Sequence, residues 1–339
     1  ELRVLQRCVT RHANLLRGVL RADGFELAVE DTFVAAEPPL VADVSPLIAL
    51  HGLRNALYWK AALAIQRGDA DGTWTAIEET LAVAGRLDWP SLLGVLVQQT
   101  FRTQAADFAV AALRLGPVDA DRAASISAAL EAAEDPADLQ RGLRGETSRM
   151  LAFSRGIVGD GTAGETELAA ELINNANLGW ALWLKRPTMC TDRAVAAGVM
   201  SRLIQSCTQS PREARASARQ LDDELYDLGI EHLVTQLECP AAVRVMTEKW
   251  PAHVARLRMA RMALAIGARG ALPSAPPLLL DDPLNSKRAR LHWRRDGDRT
   301  GLLWSVGTDL WGWEDTGEVL HPDDENASYV VRYTVTLGR

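Results

Sequence analysis

Cysteine is scarce in this sequence, and its four copies do not form a metal-binding or disulfide-rich pattern. Cys8, Cys190, Cys207 and Cys239 lie far apart, whereas zinc sites and disulfide-dense scaffolds use closely spaced cysteines. A bridge between Cys207 and Cys239 would require their helices to pack together. We favour the alternative, in which all four are small buried hydrophobic residues.

Long apolar runs and an excess of basic charge are also missing. No stretch of about 18 apolar residues occurs, so the chain as given is not expected to span a membrane. Its formal net charge is −7, whereas nucleic acids and anionic lipids are bound by basic surfaces. We therefore expect no nucleic-acid partner.

Catalytic motifs are absent as well. None of the six histidines (His12, His51, His232, His253, His292 and His321) lies in an HExxH motif, and no G-x-S-x-G elbow occurs. His232 follows Glu231 on a predicted helix and is a candidate acid or base, although ordinary surface polarity often produces such neighbours. The glycine cluster from Gly156 to Gly164 lacks the Lys of a phosphate loop and predicts a flexible connection. The sequence thus predicts a protein that is not an enzyme.

Helical periodicity dominates the chain as far as Gly270. The predicted helices span residues 2–20, 46–66, 119–134, 136–153, 165–184, 192–208, 211–236 and 240–267. Two more are predicted between 66 and 119: one follows the break at 68–71 and carries a stripe through Trp74, and the other starts near Pro90 and extends in one or two pieces toward Leu113. Several begin with a capping residue followed by proline, as at Ser45-Pro46, Ser210-Pro211 and Cys239-Pro240.

Short alternating runs replace this periodicity after Gly270. Strands are predicted at residues 290–295, 301–306 and 329–337, with a hairpin turn at 296–298. The predicted fold is mainly α, with an irregular TPR-like helical-hairpin body and a small C-terminal antiparallel β module. The predicted divisions are an N-terminal helix and connector (1–44), two helical subdomains (45–153 and 154–269) and the β module (270–339).

Tryptophan is unusually frequent among few aromatic residues. Aromatics make up 6% of the chain, with 10 Trp against 4 Tyr and 5 Phe. Three occupy helix positions expected to pack: Trp59, Trp74 and Trp89. In the β module, Trp293 and Trp304 are expected to face the helices. Trp311 and Trp313 lie beside an acidic run and are expected to be exposed enough to touch a protein partner.

One stretch of the helical body resembles a known repeat. Between Tyr58 and Ala84, the residues Trp59, Ala62, Gly68-Asp69, Asp71, Ile77 and Leu81 are similar to the helix-turn-helix of a tetratricopeptide repeat, whose unit is about 34 residues. Thr73 replaces the expected alanine, and no further clean copies follow at the repeat period. The resemblance therefore implies a helical hairpin and not a regular array.

A second resemblance covers residues 254–315. An Arg-, Leu- and Ala-rich helix leads to Asp282-Pro283-Leu284-Asn285-Ser286-Lys287, a Trp-bearing strand, an Asp-Gly turn and Leu303-Trp304-Ser305-Val306-Gly307-Thr308-Asp309. This order is similar to the C-terminal region of general-secretion major pseudopilins and of membrane-anchored bacterial helical proteins. There a "DPF-G-K" turn precedes a "Y-S-x-G-x-D-G" strand. Asn285, Ser286, Thr308 and Leu310 depart from that pattern.

The pseudopilin resemblance implies a cation site and a location. The closing loop of pseudopilins binds calcium, and the matching candidates here are Asp309, Asp315 and, more weakly, Glu314; the alternative is a hydrogen-bonded turn. The resemblance also implies the bacterial cell envelope or periplasm, with the membrane reached only through an anchor upstream of Glu1. The amphipathic pattern already under way at residue 2 fits a chain cut after such an anchor, or one trimmed of a disordered tail.

The leading functional hypothesis is a non-catalytic helical scaffold or protein-binding protein of the cell envelope, because stacked helical hairpins form extended binding surfaces. One alternative is a carbohydrate-active envelope enzyme, since paired carboxylates are invisible in a sequence and Trp rings stack on sugars. The other alternative is a cytoplasmic adaptor.

Overall fold

The fold is mainly helical with a three-stranded antiparallel sheet near the C-terminus, which confirms the predicted fold class. A computed structural model describes residues 45–87, 90–158, 166, 188–229, 232–285, 290–305 and 331–338. The helices are α1 (Ser45–Gln66), α2 (Ala70–Arg86), α3 (Leu92–Ala112), α4 (Ala120–Ala132), α5 (Ala137–Val158), α6 (Met189–Ser206), α7 (Pro211–Tyr226), α8 (Leu233–Arg244) and α9 (Trp250–Arg269). The strands are β1 (His292–Arg295), β2 (Thr300–Trp304) and β3 (Arg332–Thr336). The predicted helices at 2–20 and 165–184 lie outside the described residues, apart from Thr166.

The first three helices begin where the sequence signals predicted. Asp69 accepts a hydrogen bond from the Gly72 amide at 2.9 Å, and Ser91 accepts one from the Gly94 amide at 3.1 Å. Each bond satisfies an amide that has no partner within its own helix. The turn between Gln66 and Ala70 lets α2 fold back on α1, and α2 also packs against α3.

Two predicted helix boundaries were wrong. Helix α5 continues through Gly156 to Val158, because burial of Ile157, which is 3% exposed, outweighs the low helix propensity of glycine. The predicted break before Pro240 is also misplaced, since α7 ends at Tyr226 and Pro240 lies inside α8. The Asp192 carboxylate of α6 accepts a hydrogen bond from the Thr235 amide at 3.0 Å and so caps the first turn of α8.

A π-helical turn at Val245–Lys249 joins α8 to α9, where a single helix was predicted. Pro251 has no amide hydrogen to donate to the Thr247 carbonyl four residues earlier. Arg215 of α7 supplies that hydrogen bond instead, with its Nε 2.8 Å from the Thr247 oxygen. The irregular turn is therefore compensated by a buried guanidinium from a neighbouring helix.

Helix α9 lies in the centre of the molecule and contributes to two core clusters. Its first turn packs with α5, α6, α7 and α8 through residues such as Trp250 and Val254. The remainder packs with α2, α3, α4 and the sheet, where Leu257 and Leu264 are at most 1% exposed. A helix buried on almost every side belongs to a protein interior. The predicted division of the body after residue 153 stays a prediction.

The sheet is a meander in the order β1-β2-β3. Trp293 of β1 lies opposite Leu303 of β2, and both belong to the core that contains α9. Gly301 makes room for the Trp293 ring, since a Cβ atom at this position would lie 2.1 Å from it. The prediction that Trp293 faces the helices is confirmed.

Trp304 does not share that orientation. It lies one residue beyond Leu303, and alternate residues of a strand point to opposite faces. Its ring stacks on His292 at a centroid distance of 5.0 Å, and it forms a separate small cluster with Leu302. The prediction that Trp304 faces the helical core was wrong because the two tryptophans are out of phase across β1 and β2.

A buried polar junction fixes the β module to the helical body. Asp282 Oδ1 accepts hydrogen bonds from Ser305 Oγ at 2.7 Å and from the Leu284 amide at 2.9 Å. Arg215 Nη1 donates to the Leu284 carbonyl at 2.7 Å. The Asp282-Pro283-Leu284 turn is thus held on one side by the end of β2 and on the other by α7.

The described cysteines are all free. Cys207 and Cys239 are buried, as predicted, and burial raises the pKa of each thiol to about 12. Cys190 is exposed, so the prediction of burial was wrong for this residue, and Cys8 lies outside the described residues. Within the described part of the chain, no helix is long and apolar enough to cross a membrane.

Candidate protein-binding surface

A group of aromatic side chains lies on the surface where α1 meets α3. Tyr58 and Trp59 keep 45% and 46% of their surface exposed. Their rings meet edge to face at a centroid distance of 5.3 Å, and Tyr58 also contacts the ring of Phe108 at 5.2 Å. We call these three residues the α1–α3 aromatic surface.

The periodicity of α1 explains why Tyr58 and Trp59 remain outside the core. The buried face of the helix carries Leu50, Leu57 and Ala61. Successive helical residues are rotated by about 100°, so Tyr58 and Trp59 lie progressively farther from the direction of Leu57. The prediction that Trp59 packs in the core was therefore wrong, whereas Trp74 is 4% exposed and confirms its prediction. Trp89 lies outside the described residues.

The aromatic surface continues into a polar edge formed by α3, α9 and β3. The Tyr333 hydroxyl of β3 donates a hydrogen bond to Asp107 of α3. Desolvation raises the pKa of the Asp107 carboxyl, because surrounding protein atoms disfavour its charged form. The Tyr333 hydrogen bond and the nearby positive charge of Arg256 act in the opposite direction. Phe108 follows Asp107 in the same helix, so the aromatic and polar groups adjoin.

A buried histidine lies beneath this edge. His253 of α9 is 5% exposed, and its Nδ1 is 2.9 Å from the Thr103 hydroxyl of α3. Among the described residues, its Nε2 has no hydrogen-bond partner. Burial, together with the charges of Arg102 and Arg256, lowers the pKa of His253 to about 3. The imidazole is therefore neutral and helps to hold α3 against α9.

Two arginines have no carboxylate partner in the described part of the chain: Arg54 on α1, and Arg256 on α9 near Asp107, the residue that precedes Phe108. Arg54 lies one helical turn before Tyr58, and its carbonyl accepts a hydrogen bond from Gln104 of α3 at 3.3 Å. Arg256 is exposed and has no carboxylate oxygen within 4 Å among the described residues. Its positive charge nevertheless acts to lower the pKa of the Asp107 carboxyl. Lys60, by contrast, forms an ion pair with Glu79.

The one histidine that sequence reasoning considered as an acid or base lies beside a structural carboxylate. His232 Nδ1 is 3.9 Å from Asp192 Oδ1. That carboxylate also accepts hydrogen bonds from the Thr235 amide at 3.0 Å and from the Thr235 hydroxyl at 2.5 Å. Asp192 is 1% exposed. Asp192 therefore caps α8 and holds it against α6, and this structural role explains why a carboxylate is buried here.

The site residues predicted from the sequence are not among those that the structure describes. The calcium candidates Asp309, Glu314 and Asp315 and the partner-binding candidates Trp311 and Trp313 all fall between residues 306 and 330. In the described ranges, no group of three or more His, Cys, Asp or Glu side chains is arranged to hold a metal ion.

Sequence reasoning missed the α1–α3 aromatic surface, although one signal for it was present. Leu50, Leu57, Ala61 and Ala64 repeat at intervals of seven, four and three, which defines a complete core face without either aromatic residue. The contributions of Phe108, Arg256 and Tyr333 depend on tertiary packing and carried no such signal.

Comparisons with known proteins do not assign a function to this chain. No protein-family model, no curated protein and no solved structure gives a significant match to this chain.

Proposed function

We propose that this chain is a non-catalytic helical scaffold that binds a protein partner through the α1–α3 aromatic surface. The observation that carries the proposal is the pair of adjacent rings on α1, each nearly half exposed, with Tyr58 also in contact with Phe108 of α3. Tyrosine, tryptophan and arginine dominate the binding energy of protein interfaces. All three residue types occur here within two neighbouring helices and α9.

The supported geometry of the rings also favours protein binding. The hydrogen bond from Gln104 to the Arg54 carbonyl and the Tyr58–Phe108 contact hold α1 on α3. A partner therefore meets side chains on a packed scaffold, which lowers the entropy lost on binding. Tyr226 is more exposed, at 90%, but it has no aromatic contact among the described residues and lies in an acidic stretch of α7.

We place this scaffold in the bacterial cell envelope because residues 254–315 resemble the pseudopilin C-terminal region. We further propose that Asp309, Glu314 and Asp315 bind calcium in the manner which that resemblance implies. These three residues are not part of the aromatic surface as defined above, so each proposal has its own test.

Quantitative capture from the native cells tests the binding proposal. The intact protein and a Tyr58→Ala/Trp59→Ala variant would be used as baits in parallel detergent extracts. We expect one or more partners to be enriched by the intact protein and reduced at least about tenfold by the variant, because each ring is expected to contribute more than about 1 kcal/mol.

Tyr226→Ala is the matched control, since it removes an exposed ring from another helix and should leave capture unchanged. Circular dichroism and thermal unfolding of all three proteins would establish that the fold is retained. Equal capture of every partner by the Tyr58→Ala/Trp59→Ala variant would contradict the proposal.

A further inference from the structure

We infer that the partner presents an acidic segment that also carries a large apolar side chain. This inference rests on the proposed function and specifies the chemistry of what the α1–α3 aromatic surface binds. It is carried by the juxtaposition of exposed aromatic rings with two arginines that no carboxylate of the described residues neutralises.

The formal charge of helix α1 is opposite in sign to that of the chain. The chain has a formal net charge of −7, but α1 contains no Asp or Glu among its 22 residues. Its cations are Arg54 and Lys60, and Lys60 is paired with Glu79 from α2. Arg54 therefore retains its charge for a partner, and Arg256 adds a second positive charge from α9.

Asp107 reduces this positive charge but does not cancel it. Its carboxylate accepts a hydrogen bond from Tyr333 and lies beyond ion-pair distance of Arg256. Two arginines against one carboxylate leave a positive local balance. An exposed guanidinium next to an apolar contact discriminates between partners by charge, because unlike charges attract and like charges repel across an interface.

The aromatic rings require an apolar group as well as an acidic one. Tyr58 and Trp59 meet edge to face, so they expose ring faces and edges at a large angle to each other. An apolar side chain packed against both rings would remove their exposed surface from water, which is favourable in proportion to the area buried. A segment with carboxylates alone would leave this surface exposed.

An unbiased peptide selection tests the inference. A phage-displayed library of random 12-residue peptides would be selected on the intact protein, with Tyr58→Ala/Trp59→Ala and Arg54→Glu/Arg256→Glu variants as parallel targets. We expect peptides enriched on the intact protein to combine Asp or Glu with Trp, Phe, Leu or Ile, and to be lost on both variants. Lysine in place of the acidic residues should weaken a selected peptide about tenfold at low salt, as measured by fluorescence polarisation.

The Arg54→Gln/Arg256→Gln variant adds a graded control, because it removes both charges without reversing them and should weaken binding less than the glutamate variant. Thermal unfolding would verify that each variant is folded. Equal binding by the intact protein and the glutamate variant would overturn the inference.

The remaining outcomes separate the inference from the proposed function. Neutral or basic peptides that still require Tyr58 and Trp59 would overturn the acidic class and leave the binding surface in place. Failure to enrich any peptide over the Tyr58→Ala/Trp59→Ala variant would overturn the inference, whereas the proposed function would still be decided by capture from cells. A concentration-dependent dimer seen by light scattering and lost in that variant would identify a second copy of this chain as the occupant, contrary to the inference.

Discussion

Helix α1 and the interior use the same residue types in opposite ways. Helix α1 carries Trp59, Arg54 and His51. The tryptophan is 46% exposed and the histidine is exposed. The arginine has no carboxylate partner among the described residues. The interior contains Trp74, Arg215 and His253, which are 4%, 4% and 5% exposed. Trp74 belongs to the core cluster that contains α9, Arg215 donates to two carbonyl groups, and His253 Nδ1 lies 2.9 Å from the Thr103 hydroxyl. On α1, Trp59 contacts the ring of Tyr58, and Arg54 donates a hydrogen bond to Asn55.

This contrast shows which side chains the fold needs. A buried tryptophan, arginine or histidine stabilises the fold only if its volume or polar groups are matched by neighbours. The members on α1 are not constrained in this way, so they are free to serve the binding role that we propose. Substitutions should therefore cost much free energy of unfolding in the interior and little on α1.

The largest difference is expected between the two tryptophans. Trp74→Ala should lower the free energy of unfolding by about 4 kcal/mol, because it leaves a cavity between α2 and the core that contains α9. Trp59→Ala should lower it by less than about 1 kcal/mol, since nearly half of the ring is already hydrated. Urea unfolding followed by circular dichroism measures both, and similar losses would contradict the contrast.

The two arginines should differ almost as much. Arg215→Met removes the donors to the Thr247 and Leu284 carbonyls and should cost about 3 kcal/mol, because Pro251 has no amide to replace one of them. Arg54→Met should cost less than about 1 kcal/mol. The same denaturant titration compares the two variants. A small effect of Arg215→Met would mean that the β module does not depend on this junction.

The pH dependence of stability reports the burial of His253. Burial lowers the folded-state pKa of His253 to about 3, below the unfolded value of about 6.5, so between these values the unfolded chain binds a proton that the native protein does not. Stability should therefore be lost as the pH falls below about 6.5, by about 2 kcal/mol at pH 5. His292, whose pKa burial also lowers, acts in the same direction.

Unfolding titrations at pH 7, 6 and 5 measure this slope. His253→Gln should reduce it, even if the variant is less stable at pH 7. An unchanged slope in His253→Gln would show that other groups account for the acid sensitivity.

The fold was predictable wherever local signals and packing agreed. Asp69, Ser91 and the buried stripe through Trp74 and Ile77 define α2 and the start of α3 from neighbouring residues alone. The start of α8 was not predictable, because its cap is Asp192, more than 40 residues earlier. The π-helical turn before Pro251 was not predictable either, because the side chain that compensates for it, Arg215, lies more than 30 residues earlier.

The candidate surface was less predictable than the fold for a related reason. Sequence reasoning treated Trp59 as a packing residue by its type, although its helical phase placed it away from Leu57. The positions of Trp293 and Trp304 show the same dependence on phase, since the register that pairs Trp293 with Leu303 directs Trp304 to the other face. Arg256 and Tyr333 reach the surface only because α9 and β3 pack beside α3.

Calcium should give the smallest effect, and it compares a buried carboxylate with those of the acidic run. Asp282 accepts two hydrogen bonds in the interior and has no need of a cation. Asp309, Glu314 and Asp315 belong to an acidic run without Lys or Arg. If they bind calcium in the native state alone, a tenfold excess over the dissociation constant adds about 1.4 kcal/mol of stability. Thermal unfolding at millimolar calcium against chelator should then show a rise of about 2 °C. The Asp309→Asn/Glu314→Gln/Asp315→Asn variant should abolish that rise, and an unchanged melting temperature in the intact protein would reject a structural calcium site.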